Sequence, residues 1–279
     1  MSNAIQTAVL RKSGSGIFIE AFTGLFLRDL RVLGRELGPF VLRVVMQPLL
    51  FLFVFTYVFP HMSTGNPMAT GAGPNFATIL LPGLMAVAIM FSGIAGVALP
   101  LASEFGVTRE IDDRVMCPLP VAAVAVEKIC FSALQSILAA LLIIPLAYLV
   151  PSTPVHVHVS NWLLLIVVLL LASLTAGALG LTIGSNVKPQ QIGLVFSIIV
   201  IPITFLGCVY YPWAFLNHLR WLQILVLVNP IVYMSEGLRA ALTPSVPHMS
   251  APLIVVALMI SLALLWWLGL KGFLRRVIS

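Results

Sequence analysis

Between Lys128 and Lys271 the chain carries only four Asp, Glu, Lys or Arg residues: Lys188, Arg220, Glu236 and Arg239. That spacing leaves long uncharged runs rich in Leu, Ile, Val and Ala. A run of about 20 such residues reaches ~30 Å as a helix, the thickness of a bilayer's hydrocarbon core. With 60% hydrophobic and 9% charged residues over 279 positions, the chain stands far from the roughly one-quarter charged composition of water-soluble domains. It reads as an all-α polytopic membrane protein.

In order, six runs are long enough to cross: 40–59, 76–102, 131–150, 162–183, 192–208 and 252–270. Ahead of the first, residues 17–37 show helical period, with Phe22, Phe26, Leu30, Leu33 and Leu37 on one side and Arg28, Arg31 and Arg35 on the other. This is the pattern of an amphipathic helix lying in the membrane surface. Asp29 and Glu36 flank its apolar side without an assigned role. Gly38-Pro39 is expected to end it. No cleavable leader is expected, because the first strongly apolar run starts well behind the first basic residues. Ala88, Ser92 and Gly96 place a small residue every four positions in the second run, and Gly180 and Gly184 form a GxxxG pair in the fourth. Both patterns let helices approach closely.

The stretch between the fifth and sixth runs is different. Tyr210-Tyr211-Pro212-Trp213 halts the fifth run among rings suited to the headgroup level. The apolar segment Trp221 to Met234 follows, reaching only ~21 Å as a helix, and Asn229-Pro230 interrupts it. The residue before a proline leaves the α region, so Asn229 should close one short helix and Pro230 open the next. Residues 210–245 are therefore expected to form a re-entrant helical hairpin on the exported side. With that hairpin turning back, thirteen Lys and Arg fall on one side (Arg11, Lys12, Arg28, Arg31, Arg35, Arg43, Arg109, Arg114, Lys128, Lys188, Lys271, Arg275, Arg276) and two on the other (Arg220, Arg239). The positive-inside bias then puts both termini in the cytoplasm.

Residues 104–120, EFGVTREIDDRVMCPLP, carry six charges between Glu104 and Arg114. At ~2.5–3.5 kcal/mol for each Asp or Arg at mid-bilayer, they exclude this stretch from lipid and make it a cytoplasmic loop. Thr108, Arg109, Glu110, Ile111, Asp112, Asp113 and Arg114 can form about two helical turns, with Pro118 and Pro120 as a stop. A solvated linker would also hold such charges, but it has no use for Val107, Ile111, Val115 and Met116.

Several chemistries are excluded by what is missing. There is no G-x-x-x-x-G-K-[ST] sequence to cradle nucleotide phosphates. No Ser/His/Asp or paired-carboxylate set falls at one membrane depth. The five histidines lie in exported segments; His156-x-His158 lacks a third ligand, and Cys117, Cys130 and Cys208 are far apart, so no metal site is expected. The net charge of +6 sits at span ends, facing anionic lipid rather than nucleic acid. An ion-driven carrier usually places an ionisable group at mid-membrane, which points to an external energy source. A self-contained secondary carrier, or a membrane-embedded lipid-modifying enzyme, is the alternative. Glu236 and Arg239, one helical turn apart, are either an interfacial ion pair worth ~0.5 kcal/mol at most or the cap of a translocation path walled by Tyr211, Trp213 and Tyr233.

The surface helix, the charged loop after the second run, the six runs, and the pattern Pro212-Trp213, Asn229-Pro230, Tyr233, Glu236 and Arg239 resemble a transmembrane permease of the type-2 ABC exporter family over almost the whole length. The resemblance implies one transmembrane domain over 1–279, not an enzyme by itself, serving two copies of an ATP-binding subunit that hold the ATP and Mg; no cofactor belongs to this chain. It also implies a second permease subunit, identical or related, and a cell-membrane location. Thr108 to Arg114 would correspond to the family's coupling helix. The family commonly has Gly-Thr after its Arg-Glu, where this sequence has Ile111-Asp112-Asp113, a departure that leans toward drug and lipid exporters. Export of an amphipathic cargo such as a drug, lipid or glycolipid is the expected function.

Overall fold

The structure is a computed structural model and describes residues 14–54, 76–106, 120–149 and 158–278. Among these residues it is built from helices without strands: α1 (Gly14–Arg35), α2 (Leu37–Phe53), α3 (Phe76–Gly106), α4 (Val121–Leu149), α5 (Trp162–Asn186), α6 (Pro189–Phe205), α7 (Arg220–Val228), α8 (Pro230–Leu242) and α9 (Ala251–Ile278). Four of these, α3, α4, α5 and α9, are individually long and apolar enough to cross a membrane, and up to six spans result if each bent pair, α1–α2 and α7–α8, counts as one.

α3 is the axis of the bundle. Of its most apolar stretch 78% is buried, against 17% for α9. The reason lies in small residues. A Cβ on Gly180 of α5 would come within 2.9 Å of the Ile94 carbonyl oxygen, one on Gly184 within 3.1 Å of the Ala98 Cα, and one on Gly93 within 2.5 Å of the Ala176 Cβ. The GxxxG pair of α5 thus lies directly on the α3 backbone, close packing being the main attraction between helices where lipid removes the hydrophobic drive. The small stripe of α3 is shared differently than its spacing suggests: Gly96 meets Gln135 and Ser132 of α4, while Ala88 and Ser92 border a crevice. Large apolar side chains such as Leu163 and Ile166 of α5 and Met259, Ile260 and Leu264 of α9 remain exposed. An exposed apolar surface of that extent suits lipid or a partner.

The elements alternate between two ends of the bundle. One, the loop end, gathers the α1–α2 bend, the ends of α3 and α5, the starts of α4 and α6, and the end of α9. The other, the hairpin end, holds the rest. His158 and Ser160, just ahead of α5, donate their N–H groups to Leu242 and Ala241 at the end of α8 (both 3.1 Å). Trp213 ahead of α7 and Met249 behind α8 both bond the same α8 carboxylate. The two arms of the hairpin, bent 98° at Asn229, therefore leave and rejoin the same end.

Several boundaries differ from the sequence expectations. α1 ends at Arg35 and bends 73° into α2 at Glu36 (φ −107°, ψ 20°); Gly38-Pro39 does not break it but sits in the first turn of α2, where proline removes an N–H that has no partner anyway. α3 runs to Gly106, so Glu104, Phe105 and Gly106 are helical and not part of the charged loop. α4 begins ten residues earlier than expected, because Pro120 opens it rather than only stopping what precedes: its carbonyl accepts from the Ala123 N–H (2.8 Å). α9 continues through the basic tail to Ile278. The fifth run ends at Phe205 and passes through a π turn at Phe196–Val200; at ~25 Å, α6 is shorter than a ~30 Å hydrocarbon core, yet it runs from the loop end, where Pro189 meets Gly106, to the hairpin end, where Ile203 meets Asn229.

Candidate functional site

At the hairpin end, the chain after α6 turns sharply. Cys208 has φ 50°, a left-handed conformation that costs a non-glycine residue roughly 1–2 kcal/mol. Two glycines make the turn possible: a Cβ on Gly207 would meet Ile231 Cγ2 at 2.6 Å, and a Cβ on Gly83 of α3 would lie 1.9 Å from the Val209 carbonyl oxygen. The Cys208–Val209 backbone thus rests on bare α3 backbone.

Glu236 and Arg239 hold this turn. Both are fully buried, so an exposed interfacial ion pair is not what they form. Arg239 Nη1 donates to Glu236 Oε1 and Nη2 to the Cys208 carbonyl (3.2 Å). Glu236 Oε1 also accepts from the Trp213 N–H (2.9 Å) and Oε2 from the Met249 N–H (3.0 Å). One ion pair on α8 thereby ties the α6–α7 turn and the segment entering α9. Asn229 and Pro230 do what their sequence predicts: Asn229 Oδ1 caps α8 by accepting from the Ile231 N–H (3.0 Å), and its Nδ2 donates to the Ile203 carbonyl (2.6 Å). Tyr233 donates to the Leu227 carbonyl (2.7 Å) and Trp213 Nε1 to the Gln223 carbonyl (3.2 Å). Tyr211 and Trp213 pack against the main core. Burial pushes the Tyr210 phenol up to about 12, and Tyr211 is raised by burial and then by the Cys208 thiol; both stay neutral at physiological pH. The structure brings Tyr211, Trp213, Asn229, Pro230, Tyr233, Glu236 and Arg239 together; neither member of the ion pair lines the two cavities described below.

The loop end carries a second buried pair. Lys128 Nζ lies 2.7 Å from Glu104 Oε1, the two side chains 4% and 5% exposed. They join the last turn of α3 to α4 across residues 107–119. With α4 starting at Val121, Glu127 and Lys128 lie ~10 Å inside the helix, near its end rather than its middle. Arg276 of α9 donates to the carbonyls of Gly184 (3.1 Å), Ser185 (3.3 Å) and Val187 (2.8 Å), closing the end of α5. Its guanidinium also stacks 4.3 Å from the Phe105 ring centroid. Thr108, Arg109, Glu110, Ile111, Asp112, Asp113 and Arg114 lie outside the described residues. On α1, Arg28, Arg31 and Arg35 are exposed, while Leu33 is buried and Phe26 packs edge-on against Phe131 of α4 (6.0 Å); Leu30 and Leu37 of the apolar side are exposed.

The family model for the ABC-2 type transporter matches residues 20–243. That match covers most of the chain. The protein belongs to the ABC-2 type transporter family. It is thus a multi-pass membrane protein, the permease part of an ABC transporter, a family whose members work with an ATP-binding subunit. No curated protein sequence matches the chain significantly. Sequence reasoning missed the Gly83–Val209 contact, the Glu104–Lys128 pair and the Arg276 clamp. Each joins residues distant in the chain, and only the charge of Lys128 and Glu104 in otherwise apolar surroundings hinted at one of them.

Proposed function

We propose that this permease exports an amphipathic cargo, a drug, lipid or glycolipid, across the cell membrane, powered by two copies of a separate ATP-binding subunit. In this reading the loop end is cytoplasmic, six spans place both termini there, and α1 lies in the membrane surface. Residues Thr108 to Arg114 are the docking element, and a second permease subunit, identical or related, completes the path. ATP and Mg are held by the partner.

The observation that carries the reading is the family membership of a chain without a nucleotide-binding sequence of its own. The loop end supports it mechanically. A force on residues 107–119 reaches α3 at Gly106 and α4 at Pro120, and the Glu104–Lys128 pair makes the two helices move together. Arg276 ties the root of the same loop, through Phe105, to α5 and α9. The path would then open at the hairpin end, where Tyr211, Trp213 and Tyr233 would form the wall and Glu236 and Arg239 keep the turn in place.

An Asp112→Ala/Asp113→Ala double variant tests the docking role. The ATPase activity that co-purifies with the chain should fall at least tenfold while the amount and monodispersity of the permease in the membrane stay the same. Unchanged co-purifying activity would refute it.

A further inference from the structure

The bend between α1 and α2 encloses a cavity of about 570 Å³ whose floor is the end of α3 and the α4 face, within the ~300–1,000 Å³ typical of small-molecule sites. Its lining carries three cations, Arg28, Arg43 and Lys128, and three acids, Asp29, Glu36 and Glu104. A simple anion would meet three carboxylates there, and a simple cation three bases. A group bearing both a positive and a negative charge suits such a lining. The Oε1 of Gln135, buried and without a hydrogen-bond partner among the described residues, also faces it.

A second cavity of about 220 Å³ lies between α2, α3 and α6. It shares Arg43, Ala95 and Leu99 with the first, so the two lie side by side along α2 and α3. Its walls are apolar, Val44, Pro48, Val87, Phe91 and Phe196 among them, and it follows α3 from Val87 to Leu99, ~18 Å along the helix. Apart from Arg43 at the junction, one polar side chain interrupts them: Ser92 Oγ, on a residue 3% exposed, has no hydrogen-bond partner among the described residues. A charged chamber adjoining an apolar slot suits the chemistry of one lipid, headgroup in the chamber and chain in the slot. Each orphaned polar atom costs roughly 1–3 kcal/mol if nothing reaches it, and an ester or headgroup oxygen or amine supplies the missing partner.

We infer that the two adjoining cavities together bind one phospholipid of the surrounding bilayer whose headgroup carries both a phosphate and an amine, with the phosphate at Arg43 and one acyl chain in the slot beside Ser92. The lipid fills the inner angle of the α1–α2 bend and so fixes the direction in which α1 leaves the bundle. The inference needs only that the chain sits in a membrane; it is independent of which cargo is moved and of how the loop end is driven.

The full chain, purified in mild detergent, is mixed with equal amounts of phosphatidylethanolamine, phosphatidylglycerol and phosphatidic acid, and the retained lipid is counted by native mass spectrometry. One phosphatidylethanolamine per chain is expected, favoured several-fold over both anionic lipids. Arg43→Gln removes the phosphate partner, and Leu99→Trp narrows the junction of the two cavities from a position that is 43% exposed and so admits the larger ring. Each should lower retention about tenfold, ~1.4 kcal/mol, with the unfolding temperature within a few degrees of the parent. Ile166→Trp, on an exposed face of α5, should change nothing. Preference for an anionic lipid, or retention that either cavity variant leaves unchanged, would overturn the inference, and neither result bears on the ATPase-coupled reading because no ATP-binding subunit is present in the experiment.

Discussion

The Glu236–Arg239 pair at the hairpin end and the Glu104–Lys128 pair at the loop end are both buried, yet they do different work. Glu236 and Arg239 sit on one helix, and their other bonds go to backbone groups of other segments: the Cys208 carbonyl and the Trp213 and Met249 N–H groups. Glu104 and Lys128 sit on two helices, and their mutual contact is side chain to side chain. A carboxylate that satisfies buried backbone donors fixes a fold, because removing it orphans groups that cannot follow it. A cross-helix contact between flexible side chains holds two helices in step and leaves the backbone of each intact. The hairpin end is accordingly a rigid staple, and the loop end a linkage suited to transmit motion.

The largest effect expected from this difference is at Gly83. Gly83→Ala forces a Cβ to within 1.9 Å of the Val209 carbonyl oxygen, and both partners are backbone, so the variant should fail to give monodisperse protein in size-exclusion chromatography. Gly38→Ala, at the loop end and with nothing within 4 Å of the added Cβ, should elute like the parent. Equal behaviour of the two would remove the contrast in rigidity.

Next in size, Arg239→Leu leaves the Glu236 carboxylate buried without its cation, a loss of roughly 3–5 kcal/mol read as a lower midpoint in thermal or denaturant unfolding followed by circular dichroism. Lys128→Met should cost about as much or somewhat less, since its pair lies near a helix end. The double variants separate the two ends. Glu104→Gln/Lys128→Met should recover most of the single loss, because two apolar or neutral groups replace the pair. Glu236→Leu/Arg239→Leu should recover little, because the backbone N–H groups of Trp213 and Met249 are left unpaired. Similar recovery at both ends would erase the distinction.

A smaller effect belongs to Arg276. Arg276→Lys keeps the charge but loses the guanidinium plane that stacks on Phe105 and holds Nη1 against three carbonyls; a loss of ~1–2 kcal/mol is expected, together with weaker coupling between the loop and α5, visible as co-purifying ATPase activity that no longer responds to the permease. Smallest is Tyr233→Phe, which removes one hydrogen bond to the Leu227 carbonyl and should lower stability by ~1 kcal/mol without altering the oligomeric state.

Much of the architecture was legible because it is written locally. Uncharged runs marked the helices, Asn229-Pro230 marked the break and its cap, and Gly180 and Gly184 marked a close helix contact, since each depends on residues within a few turns. Helix ends were less legible. A proline reads equally as the stop of one helix and the start of the next: Pro39 reads as the end of α1 yet lies in the first turn of α2, and Pro120 also opens α4. The long-range ties were not legible at all. Nothing in the neighbourhood of Glu236 says that its carboxylate will reach Met249, and the small stripe Ala88, Ser92, Gly96 gives no sign that Gly96 meets α4 while Ala88 and Ser92 border a crevice. Asp29 and Glu36, without a role in the sequence pattern, border the same crevice as Arg43 and Lys128 once α1 bends into α2.

The central claim is that this permease is driven from outside its own chain, through residues 107–119. Affinity isolation of the chain from its native membrane, with the stoichiometry of every co-purifying polypeptide measured, tests it most directly. One ATP-binding subunit per permease chain is the predicted result, lost in the Asp112→Ala/Asp113→Ala variant. A pure permease that moves cargo in vesicles with no nucleotide-binding polypeptide present would contradict it.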